Sequence, residues 1–224
     1  MTVTTTSLTR AAGLAAAISG LIFIGVQINH PAMEVASVTT TEWVIRNSAK
    51  FVMAALALAG IAGMYLRQVR QTGVLGLIGY LVFSAGYLIM LSVEFVSAFV
   101  IPTVAHAMPG YVNDVLTTAA GGSPTGDIGG LKTALSVMGV GYLAGGVLFG
   151  VALFRANILA RWAAVLLVIG ALSTLALAVL PESFNRPVAI PTGVALIGLG
   201  ISHWRDQRRP QTNPATTTSV HQPA

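Results

Sequence analysis

The sequence predicts an all-α membrane protein: a polytopic bundle of six transmembrane helices, with a short amphipathic helix in the second outer loop. Of its 224 residues, 54% are hydrophobic and only 8% are charged, whereas soluble domains carry about 25% charged residues. Six apolar runs approach the ~20 residues that a helix needs to cross a bilayer. The basic residues between these runs alternate in abundance, as they do in a chain that crosses a membrane repeatedly.

The six runs form a single transmembrane domain over residues 1–204. The sixth run is the shortest, and Pro191 lies near its start, where a helix tolerates proline. A five-span alternative places this last segment in the membrane interface. Residues 205–224 are polar and rich in Pro and Thr, which predicts a disordered, basic cytoplasmic tail. The expected spans are about 11–29, 43–67, 73–104, 132–154, 161–180 and 187–204.

Charge placement predicts the orientation of the bundle. When the segments between spans are assigned alternately to two sides, eight of the twelve basic residues fall on the side of the N-terminus, and five of the seven acidic residues fall on the other. By the positive-inside rule, both termini are cytoplasmic. Most basic residues are arginine, and Ala and Gly are abundant, which is typical of a GC-rich bacterial genome. We therefore expect a multi-pass protein of the bacterial plasma membrane, with the lipid bilayer as its first partner.

The second outer loop carries a helical pattern of its own. Pro109 suits a helix start, and the apolar residues after it recur at helical spacing, which predicts a short amphipathic helix on the outer surface. The following segment, "GGSPTGDIGG", has the composition of a flexible tether. The residues of the expected apolar face are Tyr111, Val112, Val115, Leu116 and Ala119.

The fourth span contains overlapping G-x-x-x-G spacings in "GVGYLAGGVLFG". Lipid is as apolar as leucine, so membrane helices associate where small residues let their backbones approach closely. The pattern therefore predicts a tight helix–helix contact. It leaves open whether that contact lies inside one chain or forms the seam of a homo-oligomer. The glycines concerned are Gly141, Gly145, Gly146 and Gly150.

Glu94 interrupts the third apolar run. Counting about 1.5 Å per residue from Gly73 places this carboxylate roughly 30 Å along the helix, near the outer boundary of the hydrocarbon and away from the midplane. At about 100° per residue, Glu94 shares one helical face with Tyr80, Ser84 and Tyr87. Because lipid offers such groups no partners, this polar stripe is expected to face the bundle interior.

Lys50 and Arg46 lie at the same depth on the second span, one helical turn apart. Three interpretations of Glu94 follow. It forms a structural ion pair with Lys50 or Arg46, it belongs to a polar chamber under the outer loops that holds a ligand or passes a proton, or it is an interfacial acid with no role. The chamber would be lined by Glu94, Lys50, Arg46 and Tyr87, with His30 and His106 as further candidates.

Several classes of chemistry are disfavoured. The chain has no cysteine, which excludes disulfides, thiolate metal sites and cysteine nucleophiles. His30 and Glu34 have the spacing of helical metal ligands, but Pro31 intervenes, and no metal or other cofactor is expected. Phosphate-binding loops, nucleophile elbows and zinc-protease motifs are lacking, and the few, scattered basic residues argue against nucleic acid. His203, at the end of the sixth span, is expected at the surface.

Two stretches resemble a known group of proteins. "GYLAGGVLFGVALFRANILARWAAVLLVIGAL" and "VEFVSAFVIPTVAHAMPG" are similar to segments of small six-helix bacterial membrane proteins that are known only as domains of unknown function. The resemblance covers about two-thirds of the chain. It implies a helical bundle, and it carries over no catalytic residue.

Function is expected in one of three classes. The scarcity of ionisable groups inside the spans favours a binding or accessory protein for a hydrophobic, lipid-like molecule or a membrane partner, because transporters usually carry several such groups at the midplane. The alternative is an intramembrane enzyme that uses Glu94 as acid or base on a lipid or prenyl-type substrate. A second alternative is a passive small-molecule transporter. An enzyme is the less expected outcome.

Overall fold

The computed structural model describes residues 4–175 and 187–206. Within these ranges the chain is built from α-helices joined by short connections. A 3₁₀ turn at Pro187–Ala189 leads into the last helix. The helices are α1 (Thr5–Gly25), α2 (Val35–Val38), α3 (Thr41–Arg67), α4 (Val69–Phe99), α5 (Ile101–Val104), α6 (Pro109–Ala119), α7 (Gly130–Ala156), α8 (Arg161–Ser173) and α9 (Ile190–Asp206).

Five segments are long and apolar enough to cross a membrane: α1, α3, α4, α7 and Pro187–Arg205, which includes most of α9. They indicate a multi-pass membrane protein. Helix α8 accounts for 13 residues of the expected fifth span, and residues 176–180 of that span lie outside the described part of the chain. The expected disordered tail also lies outside it from residue 207 onward.

The six longest apolar helices pack in a closed ring. Helix α1 contacts α3 and α9, and the remaining contacts run from α3 to α4, α7, α8 and back to α9. The inside of the ring is filled by apolar side chains, among them Phe83, Tyr87, Phe149 and Leu167. Large apolar residues also cover the outside of the ring, such as Leu81 at 54% exposure. An apolar exterior of this kind matches lipid, which is the solvent expected from the composition.

Local signals in the sequence account for the helix ends. Helix α1 begins with a capping box between Thr4 and Ser7, which satisfies two backbone N–H groups that no preceding turn can bind. Gly73 has a φ of 56°, so a short helical turn precedes the membrane part of α4. The chain bends before Pro102, which lacks a backbone N–H to continue the helix: α4 ends at Phe99 and the one-turn helix α5 follows.

The glycines of α7 are used within the chain. A Cβ on Gly141 would lie 2.9 Å from the Cα atom of Gly86 on α4, and one on Gly146 would lie 2.8 Å from the Cβ atom of Ala171 on α8. Gly145 likewise faces α4, and Gly150 faces α8. Of the two alternatives left open by the sequence, the tight contact is therefore intramolecular. These four glycines are occupied by the chain's own helices and are not free to form a seam between copies.

The outer-loop helix is present as α6, but it does not rest on the membrane surface by its apolar face. Val112, Val115 and Leu116 are each at most 6% exposed and pack in a second core with Val38 and Trp43. Helix α6 is thus a cap on the end of the bundle. The reason is that Val38 and Trp43, before and at the start of α3, lie opposite the apolar face of α6. Packing against these side chains removes that face from water more completely than contact with lipid headgroups would.

Candidate functional site

A cavity of about 700 Å³ lies at the end of the bundle where α3 and α7 begin and α4 ends. We call this the outer end, after the orientation that the charge placement predicts. Helices α3, α4 and α7 form its walls, α6 covers it, and residues 30 and 32–34 close one side. Much of its lining is apolar, and a smaller set of polar side chains is gathered from α3, α4 and the connection after α1. The apolar lining includes Val96, Ile101, Val115, Leu116, Leu131, Leu135 and Met138.

Glu94 and Lys50 meet in this cavity. The Lys50 Nζ atom lies 3.9 Å from the Glu94 Oε2 atom, and both side chains are less than one-fifth exposed. The contact expected from their shared depth is thus present, although its length makes it a loose ion pair. Lys50 also donates a hydrogen bond of 3.1 Å to Asn47 Oδ1. Asn47 in turn donates through its amide nitrogen to the Trp43 carbonyl at 2.9 Å.

The polar wall is held rigidly because α3 is tied to α4 just above it. The indole nitrogen of Trp43 donates to the Ser97 carbonyl at 2.9 Å. That bond lies near the end of α4, where carbonyl groups lack partners within the helix. Trp43, Asn47 and Lys50 recur at spacings of four and three residues, so they share one face of α3. This face and the last turns of α4 therefore form one continuous polar surface in the cavity.

Arg46 does not belong to the cavity, and its inclusion in the predicted chamber is wrong. Its guanidinium forms a salt bridge of 2.7 Å with Glu42 and donates to the carbonyls of Val26 and Ile28, the latter at 2.6 Å. Those carbonyls follow the end of α1. Arg46 therefore caps α1, where a cation also opposes the negative end of the helix dipole.

The two candidate histidines lie in different places. His30 lines the cavity, with its ring edge-on to Trp43 at 6.3 Å between centroids, and its Nδ1 atom is 2.8 Å from the Pro31 carbonyl. His106 is exposed after α5 and does not line the cavity, which corrects its predicted role. His203, expected at the surface, is fully buried, because its side chain lies against Gly63 of α3.

The tyrosine stripe of α4 faces the ring interior but stops short of the cavity. Tyr80 stacks on Tyr65 with 4.5 Å between ring centroids. Tyr87 is fully buried and packs against Phe83 and Tyr142. The hydroxyl groups of Tyr87 and Ser84 are buried without a hydrogen-bond partner in the described chain. Tyr80, Ser84 and Tyr87 therefore face the ring interior, as expected of the stripe, and the structure does not bring Tyr87 into the cavity with Glu94 and Lys50.

Asp114 is a polar residue whose role the sequence reasoning missed. Its carboxylate accepts hydrogen bonds from the backbone and side chain of Thr125, at 2.8 and 3.0 Å, and from Gly126 N at 2.9 Å. The backbone hydrogen bond from Thr125 is the main cause that lowers the pKa of Asp114. The segment expected to be a flexible tether is therefore anchored to α6. An aspartate followed by a Ser/Thr/Gly-rich loop was the available signal, since such loops expose N–H donors.

A second cavity of about 620 Å³ adjoins the first. The side chains of Leu135 and Met138 line both. The described part of its lining is mainly apolar, with Phe23, Met90 and Leu143 among the contributors. Polar groups are thus concentrated in the first cavity, and a mainly apolar space adjoins it.

The fold and the first cavity define a class: a multi-pass helical membrane protein with a partly polar cavity at one end. Asn47, Trp43, Glu34 and Ser97 join the predicted residues Glu94, Lys50 and His30 in its lining. No protein-family model, curated protein or solved structure matches the chain. The resemblance to six-helix bacterial proteins of unknown function therefore stays a prediction.

Proposed function

We propose that the protein binds an amphipathic, lipid-like molecule in the cavity at its outer end. The observation that carries this proposal is the division of the cavity lining. One wall holds Lys50, Glu94 and Asn47, whereas the surfaces contributed by α6 and α7 are apolar. Ligand sites usually combine a mainly apolar cavity of about 300–1,000 Å³ with a few convergent polar groups. A molecule that is polar at one end and apolar at the other matches this lining.

The level of the site in the membrane supports the same proposal. Three of the five apolar helices of spanning length, α3, α4 and α7, form its walls, and Glu94 lies near the end of α4. The polar end of a lipid occupies the boundary of the hydrocarbon, which is the expected depth of Glu94. The second, apolar cavity extends beyond Leu135 and Met138 and offers room for a hydrocarbon chain.

The arrangement favours binding over the two alternatives. Use of Glu94 as a catalytic acid or base has no support beyond its place in the cavity, because the contact that the structure gives it is the ion pair with Lys50. A passive path would run through the centre of the ring, where Phe83, Tyr87 and Phe149 are fully buried and packed together. Neither alternative therefore has a specific observation in its favour.

The proposal includes a topology: six spans, both termini in the cytoplasm, and a location in the bacterial plasma membrane. The chain has no cysteine, so single cysteines introduced into it are unique labelling sites. We expect a membrane-impermeant maleimide added to intact cells to label Asn113→Cys in α6. It should label Asn157→Cys, in the turn between α7 and α8, only after the cells are permeabilised. The opposite pattern would reverse the orientation and place the cavity at the cytoplasmic end of the bundle.

Lipid binding is tested by native mass spectrometry of the protein released from a gentle detergent. Ala119 lines the cavity from the end of α6 and is exposed, so Ala119→Trp should fill the cavity without disturbing the core. We expect this variant to lose the lipid that remains bound to the wild type. Asn113→Trp is the matched control, because Asn113 is exposed on the same helix and does not line the cavity. Equal lipid retention in both variants would refute the proposal.

A further inference from the structure

We infer that the polar end of the bound molecule is a primary ammonium group and that Glu94 is its acceptor. This inference rests on the proposed function and adds the chemical class of the ligand. The structural basis is a carboxylate that faces the cavity at low exposure and lacks the hydrogen bonds that such a group requires.

The headgroup should determine which lipid binds. A hydrocarbon chain that moves from bilayer to protein exchanges one apolar environment for another, so its burial gives little net stabilisation. The headgroup contributes more to binding, because a buried carboxylate without hydrogen-bond donors has lost its hydration and gains a replacement for it when a donor binds. Selectivity for one lipid over another is therefore set by the wall that carries Glu94 and Lys50, and the apolar walls accept chains of many kinds.

Glu94 has unused acceptor capacity. A carboxylate offers about four lone-pair sites, and charge-assisted hydrogen bonds from nitrogen have lengths of about 2.7–2.9 Å. The Lys50 Nζ atom lies 3.9 Å from the Glu94 Oε2 atom, which is too far for a hydrogen bond, and it donates a hydrogen bond to Asn47 Oδ1. Residues 4–175 and 187–206 supply no hydrogen bond to either Glu94 oxygen. A ligand with several N–H donors would complete this coordination.

The charges of the cavity favour a cation over an anion. Two carboxylates, those of Glu94 and Glu34, line it together with a single ammonium, that of Lys50. These three groups sum to one excess negative charge. Helix dipoles do not alter this balance, because α4 and α6 end at the cavity while α3 and α7 begin there, and opposite helix ends offset one another.

A zwitterionic headgroup fits both charged residues. Its ammonium would contact Glu94, and its phosphate would lie toward Lys50, which is next to Glu94 on the same wall. Phosphatidylethanolamine has this chemistry and three N–H donors. Phosphatidylcholine has the same charges and no N–H donor, and phosphatidylglycerol has hydroxyl groups and a net negative charge. These three lipids separate hydrogen bonding from charge.

The test measures binding of these lipids, with identical acyl chains, to the detergent-purified protein by native mass spectrometry. We expect phosphatidylethanolamine to bind the wild type at least about tenfold more tightly than phosphatidylcholine, since a hydrogen bond to a charged group contributes that much. Glu94→Gln should reduce the ratio to about twofold or less. Glu42→Gln, which removes a carboxylate outside the cavity, should leave the ratio unchanged.

A graded series keeps the inference testable even if Glu94→Gln fails to fold. Mono-, di- and trimethylated phosphatidylethanolamine lose one N–H donor at each step, and their affinity for the wild type should fall in that order. Equal affinity across the series, or a preference for phosphatidylglycerol, would overturn the inference.

Failure of the inference is distinguishable from failure of the proposed function. If Ala119→Trp weakens the binding of all lipids equally and the methylated lipids bind with equal affinity, the cavity binds lipid without recognising the headgroup amine. If Ala119→Trp leaves the binding of every lipid unchanged, the lipids do not occupy this cavity, and both proposals fall.

Discussion

Three glycines of α7 offer a graded test of the packing that holds the ring together. A Cβ on Gly139 would have no other atom within 4 Å. A Cβ on Gly141 would lie 2.9 Å from the Cα of Gly86, 3.1 Å from its nitrogen and 3.3 Å from the Val82 carbonyl oxygen. On Gly145 it would meet the backbone N and Cα atoms of Phe83 and lie 2.8 Å from the Phe83 Cβ.

The effects of alanine at these positions follow from two opposing contributions. In all three cases, alanine lowers the entropy of the unfolded chain and favours the helix by about 0.5–1 kcal/mol. At Gly139 nothing opposes this gain. At Gly141 and Gly145 the methyl group would lie closer than the usual ~3.5–4.0 Å contact between carbon atoms, and the atoms in its way belong to the backbone of α4. Separating the two helices should cost about 1–3 kcal/mol.

We therefore expect Gly139→Ala to stabilise the protein slightly, Gly141→Ala to be neutral or destabilising, and Gly145→Ala to be the most destabilising. The free energy of unfolding is measured by titrating detergent-solubilised protein with SDS and following far-UV circular dichroism. Gly139→Ala is the internal control, because it has the same propensity change on the same helix. The reasoning fails if both Gly141→Ala and Gly145→Ala unfold within about 0.5 kcal/mol of Gly139→Ala, the range of a surface substitution.

Two further predictions concern polar groups inside and above the ring. Tyr87→Phe should raise the SDS midpoint of unfolding, because it removes a buried hydroxyl that has no hydrogen-bond partner in the described chain. Tyr142→Phe should lower that midpoint, because the Tyr142 hydroxyl donates a hydrogen bond of 2.7 Å to the Thr192 hydroxyl. Equal shifts of the midpoint in the two variants would contradict both assignments. Asp114→Asn should accelerate amide hydrogen exchange at Thr125 and Gly126, which bond to this carboxylate. The folded protein lowers the pKa of Asp114, so its contribution is present at neutral pH and is lost as the pH falls below its usual value and through the lowered one. Wild-type exchange at these amides, corrected for intrinsic rates, should therefore rise toward that of Asp114→Asn at low pH, and pH-independent protection would refute the role of the carboxylate.

The all-helical class and the helices of membrane-spanning length were predictable, because the bilayer imposes a length that apolar runs in the sequence reveal; five such helices are present in the described residues, against the six spans expected. The contact between α1 and α9 that closes the ring was harder to predict from the sequence. Gly13 and Gly20 of α1 face Gly200 and Gly193 of α9 at close approach, and the spacing of seven residues occurs in both helices. That matched spacing was a usable signal for an antiparallel contact between the first and last spans. It was overlooked because neither pair forms the four-residue motif that marks α7.

The contact between Glu94 and Lys50 was predictable because depth along a helix can be counted from the sequence. Depth does not determine which neighbour a side chain turns toward, and the errors in the site have this origin. Tyr87 shares the face of Glu94 but lies two turns deeper, where aromatic rings already fill the ring interior. The cover formed by α6 depends on contacts between distant segments, for which one sequence offers no direct signal.

Arg46 and Lys50 illustrate how the chemistry of a side chain decides its use when position does not. The two cations lie one turn apart on α3, and either was a reasonable partner for Glu94. The guanidinium of Arg46 presents several donors in a fixed plane and satisfies the carbonyls after α1 together with Glu42. The ammonium of Lys50 is a compact charge on a flexible stem, and it remains beside Glu94 at a distance that leaves the carboxylate accessible. If the cavity binds a lipid as proposed, stability and recognition depend on different residues of one helix, and ligand exchange would leave the attachment of α1 intact.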